Sequence, residues 1–369
     1  MDILSLSKNL ISFQTITGNH VQIQKCLEYI KQTLEPTGAL VDVFSFENAS
    51  PVLFARNQNT EYFDALVLGH IDVVKATNDM FIPKEKDGRL FARGALDMKS
   101  FAAVAINSMA YVMEKKLGLK FGIIFSTDEE QGSKSLEAFL KTHPNLMADI
   151  VLDNDVGGDI TKIVARCKNP VYVKLVAKGK AAHGSTPWEG IDANEQLFKT
   201  WQNIRKVFPP YSELSGKPKQ TWADTLHFAK ISGGSVENII SDSAEALLDF
   251  RLTEKSSVQD LKEKLLPLME EGVSFEVVLQ SIPVVVDENN PHLLAYKTLA
   301  EQILKKPIAF QYIGGATDSR ALYERGAVII MHSGTGDGMH AANEWVDIKS
   351  VEMLADIQIQ FLQNLGQKK

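Results

Sequence analysis

The chain has 369 residues, 44% of them hydrophobic and 23% charged, with a formal net charge of −7. That length exceeds one ordinary core and points to two domains, and the composition is that of a soluble globular protein. An acidic balance argues against a general nucleic-acid or anionic-membrane binder, which needs a basic face; it leaves room for a small anionic substrate at a locally positive site.

The start, MDILSLSKNLISF, has an acid at position 2 and a mixed helical pattern. It lacks the basic start and continuous apolar core of a signal peptide. No apolar run approaches the roughly 20 residues that span a bilayer. Cys26 lies in the apolar-periodic stretch 21–34, and Cys167 precedes a strand-like run. Both are expected as buried thiols, not as a disulfide or ligand pair, in a cytoplasmic protein.

Four short apolar runs, at 65–68, 121–125, 149–152 and 327–331, read as buried parallel strands. Helical stretches at 100–116, 133–142, 291–304 and 348–365 alternate with them, which predicts an α/β domain with a mostly parallel sheet. The middle of the chain has another rhythm. Strands are expected at 171–177, 226–232, 244–252 and 274–280, with helices at 193–207 and 258–270. This β-α-β-β-α-β order is that of a ferredoxin-like α+β sandwich. The predicted organisation is a discontinuous domain, 1–170 and 283–369, interrupted by an inserted domain at 171–282. An open sheet edge on such an insertion is a surface for dimerisation.

Acids and imidazoles recur just past the apolar runs. His70 and Asp72 follow the first, Asp128, Glu129 and Glu130 the second, Asp153 and Asp155 the third, and His340 lies in the loop after the last. Open parallel sheets bind ligands at the carboxyl ends of their strands, so these groups are expected to converge. Each signal alone is weak. H-x-D strings are common, paired glutamates often face solvent, and Asp97 in GALDMKS stands where a helix-capping acid belongs. Their common place after successive strands is what singles them out. Imidazole and carboxylate ligands without thiolate suit zinc, with cobalt or manganese as substitutes. Five such ligands fit two metals sharing one carboxylate, and Asp72 is placed to orient the imidazole of His70.

With these residues in view, the strings GHIDVV, GALDMKS, STDEEQGS, AAHGSTPWEG and GTGDGMHAANE resemble, in family order, the M20 family of metallopeptidases and deacylases. The resemblance implies a zinc-peptidase-like catalytic domain with an inserted lid or dimerisation domain. It implies that His70 binds one metal, that Asp97 bridges two, and that Glu130 and His340 bind the second. Glu129 becomes the general base for a water shared by two Zn²⁺ ions. The remaining ligand is an acid after the third strand, where both Asp153 and Asp155 stand. The count along the strand and the string Asp155-Val156-Gly157-Gly158 favour Asp155, and an Asp here resembles the peptidase members more than the biosynthetic deacylases. His183 is the family's oxyanion donor, reaching the partner's site in a homodimer. Arg251 resembles the lid arginine that would bind a substrate carboxylate, Asn238 a lid position near substrate, and Gly315 part of the substrate-side loop GGATDSR. The implied substrate is an N-acyl amino acid or short peptide with a free carboxylate. The rival of another class is a catalytically inactive metal-binding scaffold, but competent residue types stand at all five ligand positions and at Glu129.

Overall fold

A computed structural model describes residues 1–208 and 222–367. The chain divides into two compact units, one of Met1–Ala165, Val286–Gln311 and Thr317–Lys369, the other of Arg166–Val285 and Tyr312–Ala316. None of the helices described is long and apolar enough to cross a membrane.

The first unit is built on one large sheet. Its parallel core runs Phe121–Ser126, Tyr62–His70, Met147–Asp153 and Val328–Met331 as neighbours in that order. These are the four apolar runs of the sequence. They are continuous rather than alternating because both faces of each strand are covered: all six residues of Phe121–Ser126 are buried. An antiparallel hairpin, Leu40–Phe46 with Ala49–Arg56, extends the sheet past Phe121–Ser126, and Lys162–Cys167 pairs antiparallel on the other side. The helix Lys99–Lys115 buries most of its length, and the final helix Ile348–Gln367 buries a stripe from Ser350 to Leu362. A second, small antiparallel sheet joins Gly336–Asp337, Trp345–Asp347, Arg89–Phe91 and Lys84–Lys86. It has no counterpart in the sequence expectations, since strands of two or three residues carry no periodic signal. It brings the loop with His340 alongside the turn that carries Asp97.

The second unit has a four-stranded antiparallel sheet in the order Thr225–Gly233, Ser243–Leu252, Asn169–Lys178, Val273–Gln280. Alternate residues Val171, Val173, Leu175 and Ala177 face a core shared with Leu197 and Ile204 of one helix and Leu261 and Leu265 of another. The helix expected over 258–270 ends at Leu265 and tightens into a 3₁₀ turn at Leu266–Leu268. Pro267 lacks the N–H that would continue the α-helical ladder. Both cysteines are buried.

Candidate metal centre

Parallel strands end together, so their following loops share one edge of the sheet. His70 closes its strand and stands level with Ser126 on the neighbour, while Leu68 is level with Asp153 on the other side. Asp97 arrives from the turn ahead of the Lys99–Lys115 helix, across a cis Asp97–Met98 peptide. Room for that turn comes from Gly69, where a Cβ would lie 2.5 Å from the terminal methyl of Met98. His340, with φ at +63°, lies in the loop between the two short strands of the small sheet.

Two donor clusters result, His70 with Asp97 and Asp155, and Asp97 with Glu130 and His340, the ligand atoms of each lying within 4.8 Å of one another. Asp97 belongs to both. Its Oδ1 is 3.0 Å from Nε2 of His70 and its Oδ2 is 2.9 Å from Nε2 of His340. Asp155 Oδ2 is 3.5 Å from His70 Nε2, and Glu130 Oε2 is 3.1 Å from His340 Nε2. Glu129 stands just outside, its Oε2 4.0 Å from His70 Nε2. Together with Leu68, Gly69, Asp153 and Thr317–Ser319, His70, Glu129 and Asp155 line one cleft.

The electrostatics fit a cation. His70 is buried, and its Nδ1 lies 3.0 Å from the carbonyl oxygen of Asp72 and 3.4 Å from the Asp72 carboxylate. Both are acceptors, so the ring proton sits on Nδ1 and Nε2 is turned to Asp97 and Asp155. Burial works against a charged imidazole, yet hydrogen bonds to Asp155, Asp72 and Asp97 hold His70 well above its usual range. The hydrogen bond to Asp97, and then the charge of Glu130, raise His340 against its burial. Burial also opposes ionisation of Asp97, but hydrogen bonds from His340 and His70 outweigh it and lower that carboxyl. Burial first, then neighbouring negative charge, pushes Glu129 up to about 9 and Glu130 up to about 7. A pocket that pushes Glu129 and Glu130 to keep protons while it pushes His70 and His340 to gain them has surplus negative charge. Divalent cations would relieve it, and nitrogen–oxygen donors without sulfur suit zinc and its neighbours.

Asp72 and Asp153 serve from behind. The Asp72 carboxylate accepts the backbone N–H groups of Glu129 at 3.1 Å and Glu130 at 3.3 Å and the hydroxyl of Thr17 at 2.7 Å. It therefore anchors the Glu129–Gln131 turn as well as facing His70. Asp153, fully buried, accepts the hydroxyls of Thr317 and Ser319 and the N–H of Asp155. Its oxygens are engaged away from the clusters, whereas Asp155 faces them. Asp128 accepts the N–H of Ser135 at the start of the next helix and lies outside both clusters. Gly158 keeps the Asp155 loop against the loop before His340: a Cβ there would meet the carbonyl oxygen of Gly336 at 2.3 Å.

The second unit holds the other expected residues. His183 is exposed, and its Nδ1 accepts the N–H of Ser185 at 3.1 Å, so a neutral ring carries its proton on Nε2. The N–H of Gly184 donates to the carbonyl of Asn238 at 2.7 Å, so His183 and Asn238 are neighbours. Arg251 is elsewhere. Its Nε and Nη2 donate to the two oxygens of Asp249 at 2.8 and 3.0 Å. In the sheet it lies opposite Pro170, at the far end of the strand from Ser243, which lies opposite Lys178. Those ends are about 26 Å apart at ordinary strand rise. Gly315 belongs to the short segment Tyr312–Ala316.

Sequence reasoning left Arg93, Glu344 and Thr17 without roles. Glu344 was visible only as the last letter of the His340 motif, and a buried acid bonded mainly to backbone amides leaves no pattern in a sequence.

Residues 66–364 match the model of the peptidase family described as Peptidase family M20/M25/M40. Over the whole chain and the whole relative, the sequence is 26% identical to a succinyl-diaminopimelate desuccinylase of Helicobacter pylori. Among solved structures, an M20 family metallo-carboxypeptidase of Sulfolobus solfataricus superposes with a TM-score of 0.78 at 19% identity, covering all of both chains. A dinuclear metal-binding M20 peptidase of Bacillus subtilis gives 0.70 at 14% identity, over 100% of this chain and 98% of the other. The chain belongs to Peptidase family M20/M25/M40 and is a metal-dependent hydrolase.

Proposed function

We propose that the protein is a two-cation amidohydrolase that cleaves the amide bond of an N-acyl amino acid or short peptide bearing a free carboxylate. The observation that carries this reading is the pair of donor clusters sharing Asp97, with the half-buried acid Glu129 beside them and outside both. His70, Asp97 and Asp155 would hold one cation, and Asp97, Glu130 and His340 the other. Two bound divalent ions, zinc by their donor set, supply Lewis acidity toward water and the scissile carbonyl. Glu129 takes the proton of the attacking water and delivers a proton to the leaving nitrogen. Asp72 fixes the Nδ1 proton of His70 and the backbone of both glutamates. His183, with its Nε2 proton outward, serves as donor to the oxyanion and comes from the partner in a cytoplasmic homodimer. Arg251, Asn238 and Gly315 are proposed to contact substrate. The relatives named a desuccinylase and a metallo-carboxypeptidase both support an amide bond as the target, and leave acyl group and peptide as competing choices.

The test combines metal content with a substrate panel. Protein stripped by chelator and reloaded with zinc should take about two ions per chain, as expected for paired-metal hydrolases. It should turn over members of a panel of N-acyl amino acids and dipeptides. Full activity with a single tight ion would overturn the two-cation mechanism. Two ions with no turnover across the panel would overturn the substrate class.

A further inference from the structure

The turn 93–97 and the segment 340–344 are distant in sequence, and one buried acid joins them. Glu344 is 1% exposed. Its Oε1 accepts the N–H of Leu96 at 2.8 Å and of Asp97 at 3.1 Å. Its Oε2 accepts the N–H of Gly94 at 3.1 Å and Nη1 of Arg93 at 2.5 Å. Arg93, itself buried, also donates from Nη2 to the carbonyl of Ala341, next to His340, at 3.1 Å. The N–H of Ala92 closes the ring by donating to the carbonyl of Glu344 at 3.2 Å.

We propose that Glu344, braced by Arg93, is a positioning residue for the bridging carboxylate. It locks the backbone of Asp97 and the His340 segment into one frame, so that Asp97, Glu130 and His340 are preorganised for a divalent cation. This rests on the two-cation reading above. The partners of Glu344 are the amides of Asp97 and its near neighbours together with the arginine that holds the carbonyl beside His340. A generic core ion pair would not choose these. Four donors also satisfy the acid without an ion, so Glu344 is not itself a ligand. Charge-assisted bonds of this kind are short and directional, and supporting residues behind metal ligands set ligand orientation.

Glu344→Gln makes the sharp test. A carboxamide has one oxygen and one NH₂, so it cannot accept on both sides. It must set donor against donor either at Leu96 and Asp97 or at Gly94 and Arg93. The full chain is stripped by chelator and titrated with Co²⁺ against a chromophoric competitor, following the visible spectrum of the bound ions. Wild type should take two ions. In Glu344→Gln the affinity for the second ion should fall by about tenfold or more, the usual effect of losing such a support, and by more than for the first. The reason for the asymmetry is that two of the three donors of the second cluster sit in the frame. The control is Leu354→Ala, a core truncation in the final helix at a fully buried position. It should lower Tm and keep both affinities. Unchanged affinities in Glu344→Gln would overturn the proposal, as would equal losses in the control. A wild-type chain that takes only one ion would overturn the two-cation reading instead, and Glu344 is then judged on that one ion. If Glu344→Gln does not fold, Arg93→Lys carries the test. It keeps a cation for Glu344 but cannot also hold Ala341, and should weaken the second ion by about threefold, below the range for losing the acid outright; no change would overturn the proposal.

Discussion

The two units place chemical side chains by opposite rules. In the first, His70, the Glu129–Glu130 pair and Asp155 follow neighbouring parallel strands, and His340 lies in the loops after a fourth. Parallel strands all end at one edge, so residues scattered over 270 positions, from 70 to 340, meet within a few ångströms. In the second, neighbouring strands run antiparallel, so strand ends and their loops are divided between both edges of the sheet. His183 and Asn238 gather at one end of the sheet while Arg251 lies at the other. A parallel sheet therefore assembles a centre from one chain. The antiparallel sheet instead keeps His183 and Asn238 apart from Arg251 by the length of a strand.

The largest effect expected on the first half of that comparison is at Glu129. Glu129→Gln should keep its metals and much of its substrate affinity, with turnover falling by the roughly 10²–10⁴-fold typical of general acid–base groups. Glu130→Gln should instead lose metal affinity, because Glu130 faces His340 and shares its cluster. Exchanged phenotypes, read by elemental analysis and steady-state kinetics, would mean the roles of the pair are reversed.

A smaller contrast separates the two acids after the third strand. Asp155→Ala should weaken metal binding by about tenfold or more, as loss of a direct ligand costs at least what loss of a support does. The Tm of the metal-free chain should change little, since Asp155 both repels Glu129 and Asp153 and pairs with His70, and the two losses offset. Asp153→Ala should do the reverse. It strands the hydroxyls of Thr317 and Ser319 in a buried site, lowering Tm by more than it lowers metal affinity. A larger metal loss in Asp153→Ala would assign the ligand to Asp153.

How much of this was legible follows from the physics of each signal. Buried parallel strands declare themselves as unbroken apolar runs, and the acids after them as interruptions. The order of the whole motif set was therefore readable, and so was the β-α-β-β-α-β alternation of the second unit. The pairing that finishes the centre was not. The three-residue strand Lys84–Lys86 is exposed and charged throughout, and its sheet exists through partners more than 250 residues away for Trp345–Asp347 against Arg89–Phe91. Glu344 and Arg93 were hidden for the same reason: each is defined by where the other chain segment lies. Arg251 shows the converse. Its string matched a substrate-binding arginine, and only geometry reveals that Asp249 occupies two of its nitrogens.

The subtlest expected effect bears on the second half of the comparison. If His183 acts on the partner's centre, two inactive chains should repair each other. His183→Ala and Glu129→Gln are mixed under conditions that allow subunit exchange. In a heterodimer with donation between chains, the site built on the His183→Ala chain keeps its own Glu129 and receives an intact His183 from the other. The second site carries both defects. At equal mixing half the dimers are hybrid and one of their two sites is whole, so up to about a quarter of wild-type activity should return for a two-fold dimer. If each centre uses the His183 of its own chain, every site in the mixture keeps one defect and nothing returns. A monomer at working concentration, seen by sedimentation, would end the model before mixing. The outcome also decides what the exposed His183 is for, because an imidazole whose Nδ1 is occupied by the amide of Ser185 has only Nε2 to offer a substrate. Donation of that proton across a two-fold axis would give the two ends of the lid sheet separate tasks, one turned to its own chain's substrate and one to its partner's.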